Sequence, residues 1–169
     1  MRARRPLAAL LVVGAMFVGT SSVRSQDGFS LRLTDPRTGE TTVLEHGPEA
    51  LHIVFIATWC PPCLEELEAL SDLHDRWRHR GYRLVVIGVR RRQTAERLSR
   101  LASNQVVPGR LLFDGEGIAQ RRFGAESLPT HVVVDAGGKV VLRVDNLDDG
   151  VEQALEELLG SRPGRERGP

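Results

Sequence analysis

The chain contains two cysteines, Cys60 and Cys63, in the segment 59–63, which reads Trp-Cys-Pro-Pro-Cys. An apolar, strand-like run precedes the segment and a helical pattern follows it, so the cysteines are predicted to lie across a helix start. Two sulfurs placed there come close enough to form a disulfide, and the positive end of the helix dipole favours a thiolate. The spacing therefore predicts redox catalysis. Half of a zinc site and a purely structural disulfide are the alternatives.

The two sulfurs have different predicted roles. Cys60 is expected to be the N-cap of the helix and the exposed nucleophile, whereas Cys63, one turn further in, is expected to be buried and to resolve the mixed disulfide. Pro61 and Pro62 have no amide N–H, so among the amides nearest to Cys60 only that of Cys63 can donate to its sulfur. We therefore expect the helix dipole and pre-organisation of the helix to matter more than several N–H contacts.

Predicted strands and helices alternate on either side of the cysteines. Strands are expected over 29–33, 41–44, 52–57, 84–89, 110–113, 131–135 and 139–144, and helices over 61–79, 94–103, 114–123 and 148–159. The alternation predicts one α/β domain with a parallel sheet and helices on both faces, followed by a β-hairpin made of the last two strands. Residues 161–169 are expected to form a disordered tail.

Length and composition exclude several classes of protein. The 169 residues, 41% apolar and 27% charged, have the balance of one folded domain. The formal net charge of +1 argues against a nucleic-acid-binding protein. After residue 25 no apolar span of 20 residues occurs, which excludes a polytopic membrane protein. Two cysteines are also too few for a scaffold held by disulfides.

Residues 1–25 have the charge order of an export signal. Three arginines precede an apolar run over 7–18, and small polar residues follow. We expect either a signal peptide cleaved before Gln26 or, if it is not cleaved, an N-terminal membrane anchor; a buried N-terminal helix is the alternative. Cleavage would remove four arginines and no acidic residue and leave a net charge of −3.

Two segments of the chain carry a family resemblance. The segment 57–63, Ala-Thr-Trp-Cys-Pro-Pro-Cys, resembles the active site of the thioredoxin superfamily and, more closely, that of exported TlpA/ResA-like thiol–disulfide oxidoreductases. The segment 123–130, Phe-Gly-Ala-Glu-Ser-Leu-Pro-Thr, resembles the second landmark of that family. The resemblance covers residues 28–160. It implies a thioredoxin fold, with a central mixed β-sheet, helices on both faces and an N-terminal β extension.

The resemblance also implies how the site works. Pro129 is expected to be cis and to lie against the cysteines. Trp59 is expected to form a half-exposed lid beside them, with plain packing as the alternative. The residues expected to contact the substrate are Trp59, Pro61, Pro62, Leu128, Pro129 and Thr130. No dissociable cofactor and no metal is expected, since the redox group is the Cys60–Cys63 disulfide itself.

The expected partners follow from the same resemblance. They are exported proteins that contain disulfides, among them those of cytochrome c maturation, and a membrane electron donor of the thiol–disulfide type. Reduction of the substrate is the expected direction. We expect a monomer that acts in the periplasm or elsewhere outside the cytoplasm and binds no nucleic acid.

Two positions, Val54 and Glu68, depart from the family pattern, and a family-like carboxylate remains at Glu66. Val54 stands where relatives carry a buried aspartate or asparagine, so no proton can be transferred there. Glu66, three residues after Cys63, projects on nearly the same side of the helix and could accept the proton of Cys63; a solvated surface glutamate is the alternative. Glu68 stands where relatives often carry a helix-kinking proline, so we expect a straighter helix.

The remaining candidates have weaker patterns. His131, where relatives often carry threonine, is interpreted as a strand histidine rather than part of a copper site. The arginine loop, residues 90–92, is interpreted as solvated, although it could steer acidic partners. The other histidines form no recognisable ligand spacing and are His46, His52, His74 and His79.

Other functions remain as alternatives. A thiol peroxidase needs a proline and a hydroxyl residue ahead of its reactive cysteine, and the chain offers only Thr58 there. A non-catalytic metallochaperone or holdase of the same fold is the alternative from another class.

Overall fold

The structure is a computed structural model that describes residues 28–47 and 49–160. The predicted export segment over 1–25 and the predicted tail over 161–169 lie outside the described residues. The described part contains, in chain order, β1 (Ser30–Thr34), β2 (Thr41–Glu45), β3 (Ala50–Ile56), α1 (Pro61–Glu65), α2 (Leu67–Trp77), β4 (Tyr82–Val89), α3 (Ala95–Asn104), β5 (Arg110–Asp114), α4 (Ile118–Phe123), β6 (Thr130–Val134), β7 (Val140–Val144) and α5 (Asp149–Leu159).

The strands form one mixed sheet in the order β2-β1-β5-β4-β3-β6-β7. β3, β4 and β5 are parallel neighbours, whereas β6 pairs antiparallel with both β3 and β7. All seven residues of β3 are buried, as expected for a central strand covered on both faces. The β1–β2 hairpin extends the sheet beyond β5. The predicted mixed sheet with an N-terminal β extension is therefore confirmed.

Helices cover both faces of this sheet. Tyr82 on β4 points to one face, where its ring lies 6.1 Å from the ring of His74 on α2. Phe55 on β3 points to the opposite face, where its ring lies 6.2 Å from that of Phe123 at the end of α4. The predicted arrangement of helices on two faces is confirmed, and α2 covers the face that also carries the active-site residues described below.

The predicted continuous helix over 61–79 is interrupted. α1 ends at Glu65 and α2 begins at Leu67, with Glu66 between them at φ −80° and ψ −10°. The expectation of a straighter helix from Glu68 is therefore wrong. The physical reason lies in tertiary contacts, because both carboxylate oxygens of Glu66 bind groups outside the helix. Gly81, in the left-handed conformation at φ 86°, ends the helical segment as predicted.

α4 begins later than expected, at Ile118 rather than at residue 114. Asp114 is instead the last residue of β5 and is 1% exposed. Its carboxylate accepts the N–H groups of Ile118 and Gln120, both at 2.8 Å. Asp114 thus satisfies free amides of the first turn of α4 from the end of the preceding strand.

Candidate active site

Cys60 and Cys63 form a disulfide at the start of α1, with their Cα atoms 5.4 Å apart. Cys60 is the N-cap and has an extended backbone, at φ −106° and ψ 98°. Its Sγ accepts the N–H of Cys63 at 3.3 Å. Pro61 and Pro62 occupy the first two helical positions, where proline lacks a donor. The predicted N-cap and its single amide donor are both confirmed.

The two sulfurs differ in access rather than in depth. Cys60 is 5% exposed and Cys63 is 1% exposed, so the prediction of an exposed Cys60 is wrong for the oxidised protein. The disulfide holds both sulfurs against the core. Cys60 nevertheless lines a surface groove, and Cys63 is absent from the groove lining. A partner that enters the groove therefore meets Cys60 first.

The groove beside Cys60 is built from three parts of the chain. They are the cysteine segment, the end of β4 with the loop that follows it, and α4 with the segment before β6. The lining residues are Trp59, Cys60, Pro61, Pro62, Val89, Arg91, Gln120, Glu126, Ser127 and Leu128. The Leu128–Pro129 peptide bond is cis, as the family resemblance implied.

Two of the six predicted substrate contacts lie outside the groove lining. Pro129 and Thr130 are buried, and the Oγ1 of Thr130 donates to the carbonyl of Ser127 at 2.8 Å. Thr130 thus fixes the segment that carries Leu128 rather than facing the groove. The other four predicted contacts, those of the cysteine segment and Leu128, line the groove.

The arginine loop is part of this site. The indole Nε1–H of Trp59 donates to the carbonyl of Arg91 at 2.7 Å, and the guanidinium of Arg92 lies 4.9 Å from the centre of the Trp59 ring. A cation over an indole face is attracted by the ring quadrupole. Interpreting residues 90–92 as a merely solvated loop is therefore wrong, since the loop holds Trp59 and contributes Arg91 to the groove.

Gln93 is a structural residue of the site that sequence reasoning missed. Its side chain is buried, with Oε1 accepting the N–H of Thr58 and Nε2 donating to the carbonyl of Val89 at 3.1 Å. The side chain thereby ties the segment before Cys60 to the end of β4. The sequence signal for it was weak, because one glutamine after an arginine run looks like any loop residue.

Glu66 lies between α1 and α2, one turn after Cys63. Its Oε1 accepts the N–H of Leu147 at 3.0 Å, and its Oε2 lies 2.9 Å from Nε2 of His131. The side chain is 19% exposed. Glu66 is therefore not a solvated surface glutamate like Glu65, which is exposed.

His131 continues inward from Glu66 to two further polar side chains. Its Nδ1 lies 3.1 Å from Nε2 of His52, and Nδ1 of His52 lies 2.8 Å from the hydroxyl of Tyr82. His131 is a strand histidine on β6, as interpreted, but its hydrogen bonds were not foreseen. The bond between the two histidines joins residues 79 positions apart, which are diagonal neighbours on the antiparallel strands β3 and β6.

Burial controls the protonation of this group of side chains. It lowers the pKa of His52, and the neighbouring His131 lowers it further. Burial also lowers the pKa of His131, against the opposing effect of its hydrogen bond to Glu66. Burial raises the pKa of Tyr82. Both imidazoles are therefore neutral and Tyr82 keeps its proton near pH 7.

Neither a metal centre nor a membrane span occurs in the described residues. Over 28–47 and 49–160, no group of three or more histidine, cysteine, aspartate or glutamate side chains is placed to hold a metal ion. Within the same ranges, none of the helices has the length and apolar character needed to cross a bilayer.

Comparisons with known proteins agree with this site and fold. The model of the AhpC/TSA family matches residues 27–143. A relative from Bacillus thuringiensis, named thiol-disulfide oxidoreductase ResA, is 23% identical over 105 residues, which cover 62% of this chain and 58% of the relative. The chain thus matches less than two thirds of the length of that relative.

Two solved structures share the fold. One is a putative thiol:disulfide interchange protein DsbE from Chlorobium tepidum, with a TM-score of 0.63, 22% identity, and coverage of 79% of this chain and 92% of that one. The other is a secreted disulfide oxidoreductase from Mycobacterium tuberculosis, with a TM-score of 0.61, 18% identity, and coverage of 82% and 100%. The fold is thioredoxin-like. Because the family model matches more than half of the residues of this chain, the chain belongs to the AhpC/TSA family.

Proposed function

We propose that the protein is a thiol–disulfide oxidoreductase that uses the Cys60–Cys63 pair. The observation that carries this proposal is the disulfide at the start of α1, with Cys60 in the wall of a groove that Leu128 also lines. Two cysteines in such a position can cycle between dithiol and disulfide without any other redox group. The names of the ResA and DsbE relatives support the same activity.

The exchange runs in two steps from the reduced protein. The Cys60 thiolate attacks one sulfur of the substrate disulfide, so that a mixed disulfide forms and one substrate thiolate leaves. Cys63 then loses its proton and attacks Sγ of Cys60, which releases the second substrate thiolate and restores the Cys60–Cys63 disulfide. Two electrons pass from the protein to the substrate, and the leaving thiolates take up protons from solvent according to pH.

Glu66 is the proposed proton acceptor for Cys63. It lies three residues after Cys63, and residues at that spacing share a helix face. Val54 leaves no carboxylate on the adjacent central strand, and Glu66 is held partly buried by Leu147 and His131. A base fixed at this place can take the Cys63 proton inside the protein, where solvent has little access.

The proposed substrates are disulfides in exported proteins, including those of cytochrome c maturation, with reduction as the direction. A membrane electron donor of the thiol–disulfide type would return the protein to its dithiol state. Export is supported by the charge order of residues 1–25 and by the likeness in fold to the secreted protein from Mycobacterium tuberculosis. The proposed exported form is a monomer. A reporter fused after Gln26 should appear outside the cytoplasm, and a cytoplasmic reporter would contradict export.

The activity itself can be tested with trapping variants. Cys63→Ser should accumulate a stable mixed disulfide with a protein substrate, because the resolving thiol is missing, whereas Cys60→Ser should trap nothing. Both reduced variants would be mixed with oxidised model proteins and with a hydroperoxide. Trapping by Cys60→Ser instead would overturn the proposed order. Turnover of the hydroperoxide without disulfide exchange would identify a thiol peroxidase.

A further inference from the structure

A continuous row of hydrogen-bonding side chains runs from the active site into the protein beneath α2. It contains Glu66 between α1 and α2, His131 on β6, His52 on β3 and Tyr82 on β4. The three contacts are 2.9, 3.1 and 2.8 Å long. Both histidines are 0% exposed and Tyr82 is 4% exposed. Two adjoining histidines at this depth are costly unless their hydrogen bonds are satisfied, and the row satisfies all four ring nitrogens.

The row has a defined polarity when both histidines are neutral and Glu66 is ionised. An ionised carboxylate can only accept, so His131 carries its proton on Nε2 and donates to Oε2 of Glu66. Nδ1 of His131 then accepts the Nε2–H of His52, and Nδ1 of His52 accepts the hydroxyl proton of Tyr82. All three hydrogen bonds therefore point toward the Glu66 carboxylate, and each fixes the tautomer of the next ring.

Few other ionisable groups face this row. From α2, the His74 ring lies 6.1 Å from the Tyr82 ring. From the segment before α5, Asp148 acts on His131 through its charge, and the Leu147 N–H occupies the other oxygen of Glu66. Cys63 lies on the helical turn before Glu66. The row thus ends at Glu66, the carboxylate three residues after the resolving cysteine.

We propose that His131, His52 and Tyr82 are positioning residues that hold Glu66 as the anionic proton acceptor for the Cys63 step. This inference rests on the proposed function. The donors of the row stabilise negative charge on Glu66, and the fixed tautomers keep a donor, rather than a lone pair, pointed at Oε2. Loss of a link takes a donor away from Oε2 or frees the ring that supplies it, so the carboxylate is held less well as the acceptor for the Cys63 proton.

The two exchange steps should respond differently to the loss of a residue of the row. The attack by Cys60 needs no proton acceptor in the interior, whereas the attack by Cys63 does. The effect of the row should therefore be confined to the second step and should grow as the pH falls. A merely structural role of the same residues would lower stability and slow both steps together.

The test uses the full chain, reduced, with 5,5′-dithiobis(2-nitrobenzoate) as the disulfide substrate. A first coloured thiolate is released when Cys60 attacks, and a second when Cys63 resolves the mixed disulfide. Stopped-flow traces over a range of pH give the rate of each phase. The variants are His131→Leu, which removes the donor to Glu66, His131→Gln, which keeps an N–H donor of similar reach, and Tyr82→Phe, which removes only the hydroxyl. His46→Phe is the matched control, since His46 lies beside Phe29, away from the row.

For His131→Leu we expect the pH profile of the second phase to move up by about one unit, which is about a tenfold lower rate on its acidic side, with the first phase unchanged. Tyr82→Phe should move it in the same direction by about half as much, and His131→Gln should restore most of the wild-type profile. An unshifted second phase in both His131→Leu and Tyr82→Phe, or an equal slowing of both phases, would overturn the positioning role of the row. A wild-type protein that releases only one thiolate would instead overturn the proposed exchange itself.

Discussion

The groove side and the interior side of the disulfide are built in different ways. On the groove side, Cys60 is accompanied by loop residues, with Arg91 in the wall and Arg92 stacked on Trp59. On the interior side, Glu66 contacts His131, a residue of a fully buried strand. Loops can vary to suit a partner while strands hold a fixed geometry. In the proposed function, partner contact and proton transfer therefore fall on opposite sides of one disulfide.

The largest effect on the interior side is expected for Glu66→Gln. Loss of the proton acceptor should slow the Cys63 step by about 100-fold and leave the Cys60 step unchanged, since general base catalysis contributes on this scale. Glu65→Gln is the matched control, because Glu65 is the exposed neighbour on the same helix. Rapid-mixing measurement of the two steps checks this. Equal rates for both variants would reduce Glu66 to a structural residue.

The interior side should also give the protein a pH-dependent stability. The pKa of His52 is lowered in the folded state, so the unfolded chain binds a proton there that the folded protein does not as the pH falls below about 6.5. The contribution of neutral His52 to stability is therefore fully present above that pH. Below it, the free energy of unfolding should fall by roughly 1.4 kcal/mol per pH unit for this proton.

Urea unfolding between pH 7 and pH 5 measures that slope. His52→Gln keeps hydrogen-bonding capacity but cannot take up a proton, so its slope should be shallower than that of the wild type. An identical slope in the two proteins would mean that His52 is protonated in the folded state as well, contrary to the neutral row inferred for the interior.

The smallest effect is expected on the groove side, for Arg91→Met. The change removes a charge from the groove but keeps an apolar stem, and the Arg91 carbonyl that binds Trp59 belongs to the backbone. Reaction with an acidic disulfide peptide should slow by about threefold at low ionic strength and hardly at all in about 1 M salt, because salt screens exposed charges. Arg37→Met, in the exposed β1–β2 turn, is the control.

Local patterns predicted the start of α1 and the strands better than the interior side of the disulfide. Cys60 as N-cap, the single donor from Cys63 and the positions of the strands all follow from spacing and residue type within short segments. The cis bond before Pro129 followed from the resemblance rather than from local chemistry, since most such bonds are trans.

The interior could not be predicted because it depends on register. His52 meets His131 only because β3 and β6 pair antiparallel with Val54 opposite His131. The helix break at Glu66 likewise depends on groups from the other end of the chain, at residues 131 and 147. No short segment contains either relation, so periodicity alone predicts an unbroken helix and isolated histidines.

The division of roles between the two sulfurs is tested most directly by their alkylation rates. The reduced protein would be treated with iodoacetamide near neutral pH for increasing times and the labelled peptides mapped. Cys60, which lines the groove and accepts the amide of Cys63 at the helix start, should be labelled first, with Cys63 protected until the protein unfolds. Faster labelling of Cys63 than of Cys60 would contradict the assignment of Cys60 as the attacking sulfur.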